Sequence, residues 1–323
     1  MKRFIAKVSL FAFGSFLSYI VVLVVVGFYG PDYLKKNVQF HPISFGHTHS
    51  RLSEAETAGK VEVLIAGSSH AFRGYDTRIF NEHGIRAFNL GTINQTPIQT
   101  QFLLEQYVAK LKPDVVIWDV WPNTFAIDGI ESLTDLLTKG GMPNQLTGLV
   151  MEANSVVAYN TYVVSQIYWN VLNLDITETG KIGMDTYVKG GFVERKLEFP
   201  KKTTPPASGR KIFREDQKIA FETALRYLNK EGVQIFLVQS PCTKRHWASF
   251  ENSDEIDAFF SSFVERGLAK GYLNYNYLAA SEMNDSLDFY DTHHLNQNGV
   301  KKFNKMLLQH DLVNVRERKA AAR

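Results

Sequence analysis

Two short stretches of this chain combine residue types that can perform acyl chemistry. The first, Gly67–His70, contains two serines directly after the apolar run Val61–Ala66. The second, Asp291–His294, places a carboxylate three residues before an imidazole. An imidazole that a carboxylate holds in one orientation can take the proton of a serine hydroxyl and make the oxygen nucleophilic. The two stretches together therefore predict a serine nucleophile with a histidine base and an aspartate partner.

Each stretch also has a simpler interpretation. A Gly-Ser-Ser segment after a strand is commonly a loop in which Ser68 or Ser69 caps the following helix. The same loop can bind phosphate in an unrelated flavodoxin-like domain, which would leave Asp291 and His294 without a role. The presence of both stretches in one chain favours catalysis over these alternatives.

The spacing of the histidines predicts which of them is the base. On a helical or near-helical turn, Asp291 and His294 lie on one side of the backbone. His293 would replace His294 only if the loop were shifted by one residue. His70 is next to the serine in sequence, but we expect it to point elsewhere on the helical turn.

Strands and helices alternate around these stretches. Apolar runs rich in β-branched residues predict strands at 61–66, 85–90, 115–118 and 233–238, with further candidates at 272–277 and 287–289. Helical periodicity is present at 78–82, 99–110, 215–230, 254–270 and 300–309. The order predicts an α/β fold with three layers, α/β/α, around a parallel sheet whose carboxyl edge brings both stretches together. The domain comprises residues 61–124 and 211–312.

The alternation stops between residues 125 and 210. This segment is predicted to be a mainly helical insertion that forms a cap or lid, with helices at 130–138 and 149–173. Its aromatic residues can stack on a sugar or pack within the insertion, and aromatic residues at helical spacing usually pack. These residues are Tyr159, Tyr162, Tyr168 and Trp169.

The amino terminus predicts a membrane anchor, residues 1–30. Three basic residues precede Val8–Tyr29, which contains no charged residue and would form about 33 Å of helix against a hydrocarbon core of about 30 Å. A cleaved signal peptide is the main alternative, but its apolar core would be shorter and end in small residues. Residues 31–60 are predicted to be a tether and 313–323 a basic tail.

Composition excludes several classes of function. The chain has 323 residues, of which 45% are hydrophobic and 21% charged, as in folded proteins. A net charge of +3 without a basic stripe argues against nucleic acid as a partner. The single cysteine, Cys242, excludes an internal disulfide. The pair His47 and His49, with His41 nearby, has no adjacent carboxylate or cysteine to complete a metal site, so we predict no metal and no cofactor.

The motifs resemble those of the SGNH (GDSL-like) hydrolase superfamily. Gly67–His70 resembles the first block of that family, which assigns the nucleophile to Ser69, and Asn89-Leu90-Gly91 resembles the second, whose glycine N–H lines the oxyanion hole. Asp291–Asn296 resembles the last block, which supplies the acid Asp291 and the base His294. The third block, usually Gly-x-Asn-Asp, is replaced by Asp119–Asn123, so Asn123 is the expected oxyanion donor from a shifted position. The resemblance covers roughly 61–123 and 232–310.

The anchor, the altered third block and the insertion resemble the membrane-linked branch of the family, which includes alginate O-acetyltransferase-like proteins and the D-alanyl transfer protein of teichoic acid. The resemblance implies a serine esterase or O-acyltransferase that acts on an acylated polysaccharide or glycoconjugate of the cell envelope, with other envelope-assembly proteins as partners. The alternative is a catalytically inactive scaffold or carbohydrate-binding component of such a complex.

The basic residues before the span predict a single-pass protein of the cytoplasmic membrane with a cytoplasmic amino terminus and an external body. Protease added to intact spheroplasts is therefore expected to digest the domain that follows residue 30. A body that stays protected until the membrane is permeabilised would reverse this topology.

Overall fold

The computed structural model of the chain describes residues 1–43, 46–139, 144–174, 176–196 and 206–309. The chain divides into two compact units. One comprises Met1–Ser44 and Ile130–Thr177, and the other comprises Phe45–Gly129 and Glu178–Arg323. The predicted basic tail lies outside the described residues.

The elements of both units follow one another along the chain with short connections. The strands are β1 Val63–Ala66, β2 Ala87–Asn89, β3 Val115–Asp119, β4 Lys181–Ile182, β5 Asp185–Val188, β6 Phe192–Arg195, β7 Gln234–Gln239 and β8 Gly271–Asn274. The α-helices are α1 Lys2–Tyr29, α2 Thr48–Thr57, α3 Ser69–Gly74, α4 Thr77–Glu82, α5 Pro97–Leu111, α6 Ile130–Lys139, α7 Thr147–Ala153, α8 Val156–Gln166, α9 Glu215–Lys230, α10 Lys244–Trp247, α11 Ser253–Glu265, α12 Tyr275–Leu278 and α13 Gln297–Leu307.

Five of the strands form one parallel sheet in the order β2-β1-β3-β7-β8. In its register Ile65 lies between Asn89 and Ile117. The chain therefore runs outward from β1 to one edge and then, through β3, to the other. The parallel sheet confirms the α/β class predicted from the alternation of strands and helices.

Successive residues of the central strands point to opposite faces of the sheet, and helices cover both faces. Val63 and Ile65 share a buried cluster with residues of α3 and α13, such as Phe303. On the other face, the ring of Trp118 in β3 lies 4.7 Å from that of Phe221 in α9. These two contacts place a helical layer on each side of the sheet and give the three layers that the sequence predicts.

The turn after β1 determines where Ser69 stands. Gly67 has φ +138°, a conformation that residues with a Cβ rarely adopt. A Cβ placed there would lie 2.7 Å from the carbonyl oxygen of Asp119 and 3.2 Å from Cβ of Ala71. The chain therefore passes from strand to helix against β3, and Ser69 becomes the first residue of α3.

In the other unit, α1 packs against α8. Leu23 and Val164 are buried in one apolar cluster, and the Tyr19 hydroxyl donates to Oδ1 of Asn160 at 2.7 Å. A Cβ on Gly27 would lie 3.0 Å from Cγ1 of Val164, so the helices approach closely at this residue. α1 is long and apolar enough to cross a membrane, a test that a signal sequence also passes.

Two element predictions differ from the structure. The helix predicted at 149–173 is interrupted at Asn154, which has φ +44°, and the hydroxyl of Ser155 then caps α8. The strand predicted at 287–289 is reduced to a single bridge between Phe289 and Leu295. Both differences arise where a short polar residue offers the backbone a local alternative to regular structure.

The mid-chain segment is divided between the two units. Residues 130–177 belong to the unit that contains α1, whereas 178–196 belong to the unit that contains the parallel sheet. The second part is a three-stranded antiparallel sheet, β4-β5-β6, in a segment that the sequence predicts to be mainly helical. The predicted tether, 31–60, contains a 3-10 helix at Asp32–Asn37 and the helix α2.

The close packing at Gly67 predicts that Gly67→Ala destabilises the protein by about 2–4 kcal/mol, because the methyl group meets backbone and φ becomes strained. Urea unfolding of the detergent-solubilised protein measures this change. Gly209→Ala is the matched control, since a Cβ there has no atom within 4 Å, and it should change stability by less than about 1 kcal/mol. Equal effects of the two substitutions would contradict the role of Gly67.

Candidate active site

The predicted nucleophile, base and acid form one hydrogen-bonded chain. Oγ of Ser69 lies 2.9 Å from Nε2 of His294, a residue 225 positions later. Nδ1 of His294 lies 2.8 Å from Oδ2 of Asp291. With its proton on Nδ1, the neutral imidazole donates to Asp291 and offers the lone pair of Nε2 to the serine hydroxyl.

A closed loop, and not a helical turn, holds Asp291. Its second oxygen, Oδ1, accepts from the backbone N–H groups of His293 at 2.8 Å and His294 at 2.7 Å. The N–H of Tyr290 donates to the carbonyl of His294 at 3.1 Å and closes the loop. Burial alone would raise the pKa of Asp291, but the hydrogen bond and charge of His294 hold that pKa below its usual range. The carboxylate is therefore fixed in position and ionised.

Flat rings line the catalytic imidazole. The ring of Tyr290 lies 5.4 Å from that of His294 at 2° between planes, and the ring of His70 lies 4.7 Å from it at 20°. Trp121 in turn stacks on His70 at 3.9 Å and 24°. The expectation that His70 points away from the site is wrong, because its ring packs between the indole of Trp121 and the imidazole of His294.

Three other histidines surround the base and are neutral. Nε2 of His70 lies 3.1 Å from Nδ1 of His293, and Nδ1 of His70 lies 3.3 Å from Oγ of Ser68. Burial lowers the pKa of His70 well below its ordinary value and that of His293 to about 3. Burial also lowers the pKa of His246 to about 4. At neutral pH, the proton taken from Ser69 therefore meets no charge on these neighbours.

The sheet β4-β5-β6 supports the site from the side of Tyr290. The guanidinium of Arg195 lies 5.6 Å from the centre of the Tyr290 ring, and its Nε contacts Asp185 at 2.6 Å. Arg73 of α3 binds both oxygens of Asp185, at 2.9 and 2.8 Å. Burial would raise the pKa of Asp185, but the two arginines lower it to about 2. One buried carboxylate thus joins the nucleophile helix to a strand of the smaller sheet.

The expected oxyanion donors have different surroundings. Ser69 opens α3, so its N–H belongs to the first turn, which lacks intrahelical acceptors. The N–H of Gly91 donates to Oδ1 of Asn89 at 3.0 Å, and a Cβ on Gly91 would lie 2.9 Å from the carbonyl oxygen of Ser68. Gly91 therefore allows its loop to pack against the nucleophile turn, and its N–H is used within that loop. Asn123 lies in the 3-10 helix Pro122–Phe125 and is half-buried.

A buried carboxyl group lies behind the nucleophile turn. Asp119 ends β3, and its Oδ2 accepts from the hydroxyl of Tyr75 at 2.8 Å. Burial raises the pKa of Asp119 to about 7, although hydrogen bonds from Ser240 and Tyr75 oppose this rise. The folded protein therefore prefers the protonated acid below neutral pH.

The motifs did not identify the aromatic residues of the site. Trp121 directly follows β3, and Tyr290 precedes the catalytic acid by one residue. A large aromatic residue at the carboxyl end of a predicted central strand was the available signal for Trp121. The His-x-His pair gave a misleading one, since His47 is buried with Nδ1 3.8 Å from Glu178.

No family model and no curated protein matches the sequence. The fold is similar to a GDSL-like lipase from Bacteroides thetaiotaomicron, with a TM-score of 0.43, 10% identity and coverage of 82% of this chain and 97% of the other. It is also similar to a protein described as an acylhydrolase from Bacteroides fragilis, with a TM-score of 0.42, 10% identity and coverage of 83% and 96%. A Streptococcus pneumoniae protein described as a platelet activating factor has a TM-score of 0.43, 11% identity and coverage of 81% and 90%. At these identities the likeness is one of fold.

The environment of Asp119 predicts a pH-dependent stability. Its pKa is higher in the folded than in the unfolded chain, so the stabilisation is present near pH 4 and is lost as pH rises towards about 7, by about 4 kcal/mol at most. Asp119→Asn should remove this loss. Urea unfolding of both proteins between pH 4 and 8 measures the difference, and curves that stay parallel over this interval would contradict the assignment.

Proposed function

We propose that the chain is a serine esterase or O-acyltransferase with the triad Ser69, His294 and Asp291. The observation that carries the proposal is the continuous hydrogen-bonded chain from Oγ of Ser69 through both nitrogens of His294 to Oδ2 of Asp291. This arrangement activates a serine for attack on an acyl carbonyl.

In the first step, Nε2 of His294 takes the Ser69 proton as Oγ bonds to the acyl carbon. The imidazolium then protonates the leaving alkoxide, and an acyl-serine remains. In the second step, the same nitrogen deprotonates water or a sugar hydroxyl, which attacks the acyl-serine and releases Ser69. Asp291 keeps the imidazole oriented and compensates its transient positive charge.

The backbone N–H of Ser69 is the oxyanion donor that its position in the first turn favours, and Asn123 is the second candidate donor. Removal of one such donor commonly lowers the rate about 10²–10³-fold. Because the Gly91 N–H is bound to Asn89, its participation would need that loop hydrogen bond to open.

The substrate class follows from the membrane anchor. A catalytic body held at the outer face of the cytoplasmic membrane by α1 would meet acylated envelope polysaccharides and glycoconjugates. The apolar helix supports membrane attachment, and the basic residues before it support this orientation. We propose an envelope saccharide ester as the substrate on this ground.

A fluorophosphonate probe and an acetyl ester such as p-nitrophenyl acetate test the triad. Ser69→Ala and His294→Ala are each expected to lower ester turnover by about 10⁴-fold or more, because either change removes the activated nucleophile. The probe should label wild type at Ser69. His293→Ala should keep most of the activity.

Ser68→Ala is the matched control, since it removes a neighbouring hydroxyl that contacts His70 and not His294. It should retain probe labelling and most turnover. An unlabelled wild-type protein, or turnover that survives in Ser69→Ala, would favour a non-catalytic envelope scaffold.

A further inference from the structure

The histidines at the site make a second kind of chemistry available. His70, His293 and His294 each offer a ring nitrogen, and the three nitrogens lie within 4.8 Å of one another. Imidazole is a preferred ligand of Zn²⁺ and of related divalent transition metals. Three converging imidazoles leave a fourth tetrahedral position for water or an anion.

The distance between the first two nitrogens suits a shared metal ion. Two nitrogens bound to one tetrahedral Zn²⁺ at about 2.0–2.1 Å lie about 3.3 Å apart. Nε2 of His70 and Nδ1 of His293 are 3.1 Å apart. A metal ion can therefore replace the proton between these two rings with little displacement of either.

The third ligand comes from the catalytic base. Nδ1 of His294 is bound to Asp291, so Nε2 is the nitrogen left to coordinate. It would have to move inward by about 1.5 Å to reach a tetrahedral distance from the other two. That movement separates it from Oγ of Ser69, which is 2.9 Å away.

Neighbouring hydrogen bonds already hold two of these rings as metal ligands are usually held. A metal-bound histidine commonly donates its other N–H to a carboxylate or another oxygen. His294 has Asp291 at Nδ1, and His70 has Oγ of Ser68 at Nδ1. Both rings thus present Nε2 to the space between them.

We propose that His70, His293 and His294 bind a divalent transition-metal cation of the Zn²⁺ type, and that its binding withdraws Nε2 of His294 from Ser69 and blocks the nucleophile. The metal would act as a reversible inhibitor of the triad. The binding part stands on the three histidines alone, whereas the inhibition part rests on the proposed function.

Binding is measured first and without any substrate. The full-length protein in detergent, stripped with a chelator, is titrated with Zn²⁺ by calorimetry and with Co²⁺ by visible absorption. Wild type should bind one ion per chain with the intense visible bands of tetrahedral Co²⁺. His293→Gln and His70→Gln should each weaken binding at least about 10-fold, and His83→Gln, an exposed histidine on another surface, should not.

Binding of equal strength in wild type, His293→Gln and His70→Gln would overturn the site. Because His70 is buried and its substitution can perturb folding, His293→Gln, at a partly exposed residue, decides the question if His70→Gln fails to fold.

The second measurement is fluorophosphonate labelling of Ser69 with and without Zn²⁺. Saturating Zn²⁺ should suppress labelling of wild type, chelator should restore it, and His293→Gln should require a higher Zn²⁺ concentration. Unchanged labelling of a Zn²⁺-saturated wild type would overturn the inhibition. Absence of labelling in metal-free wild type would instead count against the proposed function, and the calorimetric result would still decide the metal site.

Discussion

The contact between Ser69 and His294 depends on joining two segments from opposite ends of the domain. A buried asparagine of the last helix makes that junction: Nδ2 of Asn304 donates to the carbonyl of Gly74 at 2.6 Å, and its Oδ1 accepts from the N–H of Asp76 at 3.1 Å. These bonds tie α13 to the end of α3. The loop that carries Asp291 and His294 directly precedes α13, so its position relative to the nucleophile is fixed by helix packing and not by the loop itself.

The second constraint is electrostatic. Proton transfer from serine to histidine creates two opposite charges in a partly dehydrated space, where interactions between charges are stronger than in water. The neighbours of His294 are a carboxylate with both oxygens bonded and rings that stay uncharged at neutral pH. The field at the imidazole is thus dominated by Asp291. The same lack of charge makes the nearby imidazoles able to donate lone pairs, which is why one cluster can serve a proton or a metal ion.

Sequence periodicity predicts the parallel sheet well because its strands are continuous apolar runs and its helices have one apolar side. It also identifies the chemical roles of Ser69, Asp291 and His294, since a motif records residue type and spacing. It does not reveal the contacts of His70, because the side on which a residue at a tight turn points depends on the backbone dihedrals of Gly67 and Ser68. The strands β5 and β6 are missed for another reason: each has four residues, and β5 begins with an aspartate whose burial depends on Arg73, more than a hundred residues earlier.

Asp185 illustrates what such long-range pairing contributes. A buried ion pair adds little net stability, because the loss of hydration offsets much of the attraction, but an unpaired buried charge is strongly unfavourable. Only arrangements that keep Arg73 and Arg195 on Asp185 avoid that penalty, so the pair selects one position of α3 relative to β5. Arg195 in the same network lies against Tyr290, whose ring is parallel to the catalytic imidazole. The small antiparallel sheet therefore restricts both the helix that carries the nucleophile and the ring beside the base, and it belongs to the architecture of the site although its sequence lies in a segment with no catalytic motif.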